Sequence, residues 1–255
     1  MTDAMPARRC HRTTQCAIAT LVATVSAATV AHGAPALTAL PRLRLRLFPG
    51  LAGFGQPDRV ALTFDDGPDP ASTPRFVDAL AARDVRATFF LLGSMLARSP
   101  GLGRDLVAAG HEVAVHGWAH RNLLLCGPTS TYDDLARARA LIADTTGVVP
   151  RFFRPPYGVL STSSLVAARR LDLLPVLWTC WGRDWTRSTT PQSVLQTVRA
   201  GLAGGGTVLL HDSAGATRRE TWRSTLAALP RLLDDCAERG LRVGPLSEHR
   251  CWAYA

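Results

Sequence analysis

Two adjacent carboxylates, Asp65 and Asp66, follow a run of apolar residues at 60–64 that is typical of a buried strand. Neighbouring side chains on a strand point to opposite faces, so both acids can serve one site only if the strand ends there. Gly67 and Pro68 supply that end, because glycine tolerates unusual backbone angles and proline cannot continue a sheet ladder. The pair predicts one carboxylate for a metal ion and one for proton transfer. Taken alone, the segment is equally consistent with an Asp-rich turn.

Two histidines four positions apart, His116 and His120, follow a second apolar run at 113–115. At this spacing two side chains share one face of a helical turn and can hold one ion. No Glu follows His116, so the pair is not the zinc-protease helix motif. Such a pair alone is more often solvated or part of a core. With Asp66 as a third ligand it predicts an open metal site of two nitrogens and one oxygen, as a hydrolase needs.

Three further polar clusters come directly after apolar runs. They are Arg154-Pro155-Pro156-Tyr157-Gly158 after Phe152-Phe153, Asp184-Trp185 after Val176-Leu177-Trp178, and His211-Asp212 after Thr207-Val208-Leu209-Leu210. The carboxyl ends of parallel strands meet at one face of a barrel or sheet. Five clusters in such positions therefore predict one shared site.

The elements that must position these clusters alternate along the chain. Strands are predicted at residues 60–64, 87–91, 112–115, 151–153, 174–178, 207–210 and 241–243. Helices are predicted at residues 73–83, 94–109, 133–145, 161–171, 191–203 and 221–239. This alternation favours a parallel sheet, open or closed. A chain of 255 residues with 47% apolar residues can bury the core of a single α/β domain.

The five clusters together resemble the motifs of the polysaccharide deacetylase family, also called carbohydrate esterase family 4 or the NodB homology domain. In chain order they are Thr63-Phe64-Asp65-Asp66-Gly67-Pro68, His116 to His120, Arg154 to Gly158, Asp184-Trp185 and Leu209-Leu210-His211. The resemblance covers about residues 58–248. It implies a single α/β domain there, folded as an irregular seven-stranded (β/α) barrel.

The resemblance also implies how the residues divide the chemistry. Asp66, His116 and His120 would bind a divalent metal, usually zinc in such proteins. Asp65 would be the general base that takes a proton from the attacking water. His211 would protonate the leaving amine, which releases acetate and a free amino sugar.

Five more residues would support this chemistry in the family's arrangement. Arg154, permanently charged, would pair with Asp65 and keep it ionised. Asp184 would orient or tune His211. A backbone N–H near Tyr157 would help to hold the oxyanion, and Trp185 and Leu209 would help to shape the acetyl pocket.

Two positions depart from the family's pattern. Ser or Thr usually follows the first histidine of the second motif, where its hydroxyl braces the metal loop, and here the residue is Gly117. The fourth motif usually carries an Asp three residues before position 184, and here the residue is Trp181. The carboxylate partner of His211 is therefore either lost or supplied by Asp184 alone. Neither departure removes a metal ligand, the base or the acid.

The first 57 residues have a different composition from the rest. Arg8, Arg9 and Arg12 precede an apolar, Ala-rich run at about residues 16–31. This layout predicts a signal peptide or short membrane anchor over residues 1–35, and hence a secreted or cell-envelope protein. A leader on an intracellular protein is the alternative. Residues 36–57 are predicted to form a basic linker. Within it, residues 41–48 alternate Arg and Leu, a pattern that fits a basic strand, a surface-binding segment or a solvated connector.

The net charge of +9 is unevenly distributed, since residues 1–50 hold six Arg and one Asp. A basic protein of this kind is attracted to anionic surfaces of the cell envelope. Nucleic-acid binding is not expected, because no predicted helix gathers the arginines on one face and no recognition motif is present. The expected partner is an acetylated glycan, and the expected state is a monomer.

Three functions of different classes fit these motifs. The favoured one is metal-dependent removal of N-acetyl groups from amino sugars in a polymer such as peptidoglycan or a chitin-like glycan. The second is an O-acetyl esterase acting on xylan or another glycan. The third is a non-catalytic glycan-binding relative, against which the complete set of base, acid and ligands argues, since a binder has no need of an activated water.

Overall fold

A curled parallel sheet carries the five polar clusters. The computed structural model describes residues 20, 22–215 and 220–249. Seven strands follow the order β5-β4-β3-β2-β1-β7-β6, and β8 pairs with β1 beside this path. The strands are β1 Arg59–Asp65, β2 Thr88–Leu91, β3 Glu112–Val115, β4 Phe152–Phe153, β5 Leu174–Pro175, β6 Cys180–Trp181, β7 Thr207–His211 and β8 Arg242–Gly244. Every pairing among them is parallel, which confirms the predicted α/β barrel class.

Helices surround this sheet. In chain order they are residues 22–33 (α1), α2 Pro41–Leu47, α3 Thr73–Ala81, α4 Gly93–Arg98, α5 Pro100–Ala108, α6 Pro128–Thr146, α7 Thr162–Arg170, α8 Pro191–Gly201, α9 Trp222–Glu238 and α10 Leu246–His249. Ser161 and Thr190 begin α7 and α8 with reciprocal capping boxes, which satisfy backbone N–H groups of the first turn. Gly147 ends α6 in the left-handed conformation, φ 72°, that favours glycine.

Three predicted boundaries were wrong, each for a local reason. The helix expected at 94–109 is two helices, because Pro100 disfavours helical angles at Ser99, whose φ and ψ are −142° and 62°. The helix expected from residue 133 begins at Pro128, a residue well suited to a first helical turn. The strand expected at 174–178 ends at Pro175, because the Val176 and Leu177 carbonyls bind Arg154 and the Leu177 N–H binds Leu51, and pairing resumes only at Cys180.

Strand β1 is the centre of the sheet and sets the position of the site. Its residues from Val60 to Asp65 are all buried. Phe64 stacks on Phe89 of β2 with ring centroids 5.0 Å apart, which anchors one face of the strand. The register then pairs Asp65 with His211 of β7, so that the first and fifth motifs end side by side.

The N-terminal region also contacts the domain. The segment of alternating Arg and Leu is the helix α2 rather than a strand, and Arg44 within it is buried. Within the described residues no helix is both long and apolar enough to cross a membrane. Residues 1–19 and 21 of the predicted leader lie outside the described residues, so the signal peptide stays a prediction.

Replacing Phe89 by Ala should lower the free energy of unfolding by about 3–5 kcal/mol, because the side chain is fully buried between aromatic neighbours. Leu125→Ala is the matched control. Leu125 is 83% exposed, and its loss should change stability by about 0.5 kcal/mol or less. Urea unfolding followed by tryptophan fluorescence measures both. Equal losses in the two variants would contradict this account of the core.

Candidate active site

One carboxylate and two imidazoles converge at the carboxyl end of β1. Oδ1 of Asp66 lies 3.4 Å from Nε2 of His116 and 3.3 Å from Nε2 of His120. The three residues offer ligand atoms that all lie within 4.8 Å of one another, which is close enough to hold one metal ion. They are the three residues that the sequence predicted as metal ligands, and the structure brings them together.

The cluster fits a divalent cation better than it fits a set of hydrogen bonds. Oδ1 of Asp66 is buried and has no hydrogen-bond partner among the described residues, although two imidazole nitrogens face it. Burial alone would raise the pKa of Asp66, but His116, His211 and His120 hold it well below the ordinary value. Burial and His116 lower the pKa of His120, which favours the neutral imidazole that a metal requires.

The backbone around the ligands is held in unusual conformations. Asp66 has φ 77° and His120 has φ 53°, both in the left-handed region that residues other than glycine rarely adopt. With these backbone angles, the side chains of Asp66 and His120 point toward His116. Nδ1 of His116 lies 2.8 Å from the carbonyl oxygen of Arg154, a contact that directs Nε2 toward Asp66.

Arg154 lies behind the pocket and holds the second carboxylate. It is fully buried, and its Nη1 donates to Oδ1 of Asp65 at 2.7 Å and to Oγ1 of Thr63 at 2.8 Å. Its Nη2 and Nε donate to the carbonyl oxygens of Leu177 and Val176. Oδ2 of Asp65 remains directed at the site, 3.8 Å from Nε2 of His116.

A second carboxylate–imidazole pair lies across the pocket. Oδ1 of Asp184 is 2.8 Å from Nδ1 of His211, and Oδ2 accepts hydrogen bonds from the His211 N–H and from the Thr225 hydroxyl. Asp184 therefore supplies the carboxylate partner of His211, and position 181 is not needed for it. Burial lowers the pKa of His211, but Asp184, with Asp66 and Asp65, raises it to about 10.

The pocket between these groups has a volume of about 350 Å³ and an aromatic wall. Trp181, at the position where an acid was expected, stacks on Trp178 and meets the edge of Trp185. Eight of the ten predicted site residues line the pocket, and Arg154 and Asp184 lie directly behind it. The lining residues are Asp65, Asp66, His116, His120, Tyr157, Gly158, Trp178, Trp181, Trp185, Leu209 and His211.

The loop between the two histidines is braced by a residue that the sequence did not single out. Oδ2 of Asp134, on α6, accepts a hydrogen bond from the Trp118 N–H at 2.7 Å. Gly117 has φ 86°, and a Cβ there would lie 2.8 Å from the same oxygen. A serine or threonine at 117 would therefore be strained, and Asp134 braces the loop in place of that hydroxyl. Its 18-residue separation from His116 left no local signal in the sequence.

Asp212 is a second residue that the motifs did not assign. Its side chain is fully buried, lies against Gly67, and accepts a hydrogen bond from the Thr73 hydroxyl. Burial raises the pKa of Asp212 to about 7, with Asp66 adding to the effect. The contact ties Thr73, the first residue of α3, to the residue that follows β7.

With zinc as the probe, Asp134→Ala should weaken metal binding by about 10-fold or more, because the loop that carries both candidate histidine ligands loses its brace. Asp134→Asn keeps an acceptor for the Trp118 N–H and should bind zinc with an affinity near that of the wild type. Competition with a chromophoric chelator measures both affinities. Wild-type affinity in the alanine variant would show that the brace does not position the ligands.

Comparisons with known proteins identify the family of this chain. The family model for polysaccharide deacetylase matches residues 53–176. A chitooligosaccharide deacetylase from Bradyrhizobium sp. (strain ANU 289) is 36% identical over 199 residues, which are 74% of this chain and 89% of that protein. A peptidoglycan-N-acetylglucosamine deacetylase from Bacillus cereus (strain ATCC 14579) is 31% identical over 192 residues, which are 74% of this chain and 86% of that protein.

A solved structure extends the likeness to the fold. A pseudoenzyme of carbohydrate esterase family 4 from Bacillus anthracis matches with a TM-score of 0.69 and 28% identity, covering 77% of this chain and 67% of that one. That relative shows that the fold alone does not make a catalyst, so the residues of the site carry the argument for activity. From its relatives and from its site, this chain belongs to the polysaccharide deacetylase family and is a hydrolase.

Proposed function

We propose that this hydrolase removes N-acetyl groups from N-acetylglucosamine units of a glycan and releases acetate in a metal-dependent reaction. One observation carries the proposal: an Asp-His-His cluster, an arginine-held carboxylate and a carboxylate-held histidine face one pocket. These are a cation site, a base and an acid within reach of the same small group.

The cation site is assigned to Asp66, His116 and His120. A divalent metal held by these residues would polarise the acetyl carbonyl and lower the pKa of a bound water. We propose zinc, since two imidazoles, one carboxylate and an open position are typical of catalytic zinc sites. The buried, unpartnered Oδ1 of Asp66 supports the assignment.

Asp65 is proposed as the general base. Its Oδ1 is engaged by Arg154, which fixes the carboxylate plane, while Oδ2 faces the ligand cluster. An attacking water between Oδ2 and the acetyl carbon would give up its proton there. Because the arginine is fully buried, solvent does not weaken this orientation.

His211 is proposed as the general acid. Its Nδ1 is held by Asp184, so the other ring nitrogen faces the pocket and can protonate the leaving amine. The carboxylate of Asp184 raises the pKa of His211, which favours the protonated imidazole before substrate binds. An amine is a poor leaving group unless it is protonated, so an amide substrate gives this residue a definite task.

The walls of the pocket suit a small acyl group next to a sugar. Leu209 and Trp185 would enclose the methyl group, and the backbone N–H near Tyr157 would face the developing oxyanion. Tyr157 has φ 62° and its side chain is 59% exposed, so it marks the rim of the pocket. The relatives named for chitooligosaccharide and for peptidoglycan both act on N-acetylglucosamine, which supports that sugar as the substrate unit.

The place of action is proposed to be the cell envelope or the exterior. The arginine-led apolar leader within residues 1–35 supports export, and the arginine-rich first 50 residues would favour contact with anionic envelope polymers. A polymeric glycan in the envelope would meet the enzyme there.

The first test is acetate release by the zinc-loaded protein from N-acetylglucosamine oligomers, from peptidoglycan and from O-acetylated xylan, with a chelator control. Release of acetate that the chelator abolishes is expected. Release of acetate only from O-acetylated xylan would reject the N-deacetylase proposal in favour of an esterase.

Asp65→Asn should bind zinc as the wild type does and lose at least about 100-fold in turnover, because the base is gone and the ligands remain. Near-normal turnover by Asp65→Asn would reject the base.

Asp184→Asn should move the alkaline limb of the kcat/KM profile to lower pH. Asp184 raises the pKa of His211, so its neutralisation lowers that pKa and the protonated acid is lost at a lower pH. Thr225→Val removes only the hydroxyl that donates to Asp184 and should move the limb less. An alkaline limb that stays at the same pH in Asp184→Asn would argue against His211 as the acid.

A further inference from the structure

The curled sheet has a gap between its two end strands, β5 and β6, beside the pocket. Buried arginines bind the chain segment that crosses this gap. β5 and β6 are the two ends of the hydrogen-bonded strand path, and residues 176–179 connect them. Arg154 binds the carbonyl oxygens of Val176 and Leu177. The next carbonyl oxygen, that of Trp178, accepts a hydrogen bond of 3.0 Å from Nη2 of Arg44. Two guanidinium groups thus hold three consecutive carbonyls.

Arg44 comes from α2, in the region that the sequence predicted to be a linker. Its side chain is only 1% exposed, whereas Arg42 and Arg46 on the same short helix are exposed. Its Nη1 donates to the carbonyl oxygen of Thr38 at 2.9 Å. Burial, with Arg154 nearby, lowers the pKa of Arg44 to about 10. A buried charge of this kind is unfavourable unless it makes specific contacts.

The contact that Arg44 makes is with a wall of the pocket. Its guanidinium carbon lies 5.1 Å from the centre of the Trp178 ring, in addition to the bond to the Trp178 carbonyl. Trp178 stacks on Trp181 and lines the pocket. A Cβ on Gly158 would lie 2.5 Å from the Trp178 ring, so the indole packs directly on the turn that carries Tyr157.

The neighbouring backbone confirms that this N-terminal region supports the same wall. The Leu177 N–H donates to the carbonyl oxygen of Leu51 at 2.7 Å. The Thr207 hydroxyl, on β7, donates to the carbonyl oxygen of Gly53 at 2.7 Å. Residues 38–53 therefore pack against the gap between β5 and β6.

We propose that Arg44 is a positioning residue that sets the acyl-group specificity of the pocket. It fixes Trp178, which packs in one cluster with Leu209 and stacks on Trp181, the neighbour of Trp185. Leu209 and Trp185 are the residues that would enclose the acetyl methyl group, so Arg44 sets a space for the acyl chain that fits acetyl and excludes longer groups. This inference rests on the proposed deacetylation only in taking the pocket for the acyl-binding pocket. A role limited to docking α2 would affect stability but not the choice between acyl groups.

The experiment compares Arg44→Met and Arg44→Lys with Arg46→Met, whose arginine is exposed on the same helix. For each zinc-loaded protein, kcat/KM is measured on N-acetyl and N-propionyl glucosamine oligomers, and the dissociation constants of acetate and propionate are measured by calorimetry. The two ratios do not depend on the fraction of protein that is folded. A pocket separates substrates that differ by one methylene by about 10–200-fold, so Arg44→Met should lower the acetyl preference by about fivefold or more.

Arg44→Lys should give an intermediate preference, because an ammonium can replace one donor to the Trp178 carbonyl but not the guanidinium plane over the ring. If Arg44→Met does not fold, the acetyl preference of Arg44→Lys tests the proposal instead. Arg46→Met should match the wild type in both ratios.

Each outcome bears on one proposal. Unchanged acetyl preference in folded Arg44 variants, with only a lower melting temperature, would overturn the positioning role. A wild-type protein that releases no acetate from any glycan would reject the proposed function, and the acetate-to-propionate affinity ratio would still decide the role of Arg44. Equal affinity of the wild type for the two acids would overturn the inference, since no selectivity would be present to set.

Discussion

The buried guanidinium of Arg154 is the interaction on which the rest of the site depends. The side chain of Arg154 joins the end of β1, at Thr63 and Asp65, to the backbone carbonyls of residues 176–177. The backbone carbonyl oxygen of Arg154 contacts Nδ1 of His116. Asp65, the proposed base, His116, a proposed metal ligand, and the pocket wall therefore share one rigid support. A buried ion pair is costly to break, by about 3–5 kcal/mol when one partner is removed. The catalytic geometry is thereby coupled to the stability of the fold.

Sequence reasoning could bring the candidate residues together because their motifs lie at the ends of strands. Each motif follows an apolar run, and parallel pairing brings those ends to one edge, as the register of Asp65 with His211 illustrates. The parallel α/β sheet followed from the alternation of strands and helices, and the barrel followed from the family resemblance. Boundaries were less predictable. Pro100 divides one apolar pattern into two helices, and the backbone groups at 176 and 177 bind Arg154 and Leu51 instead of continuing a strand.

What the sequence could not reveal were the supports that come from distant elements. Asp134 acts across a loop and Arg44 across 134 positions to Trp178, and neither lies in a motif. Arg44 also belongs to a run of alternating Arg and Leu that gives no indication which arginine is buried. Only the packing distinguishes it from Arg42 and Arg46.

The two departures from the family's pattern have physical explanations in the same terms. At 117 the backbone turns through a positive φ against Asp134, so glycine and a carboxylate together do what a hydroxyl would do. At 181 an indole continues the aromatic wall, while Asp184 alone holds His211.

The contacts of Arg44 bear on where the catalytic unit begins. The family match starts at residue 53, yet the pocket wall is held by side-chain and backbone groups between Thr38 and Leu51. A unit cut at residue 58 would leave the Trp178 carbonyl and the Leu177 N–H without these partners, and a buried polar group without a partner is destabilising. Any processing of the predicted leader that preserves the pocket must therefore leave Thr38 in place.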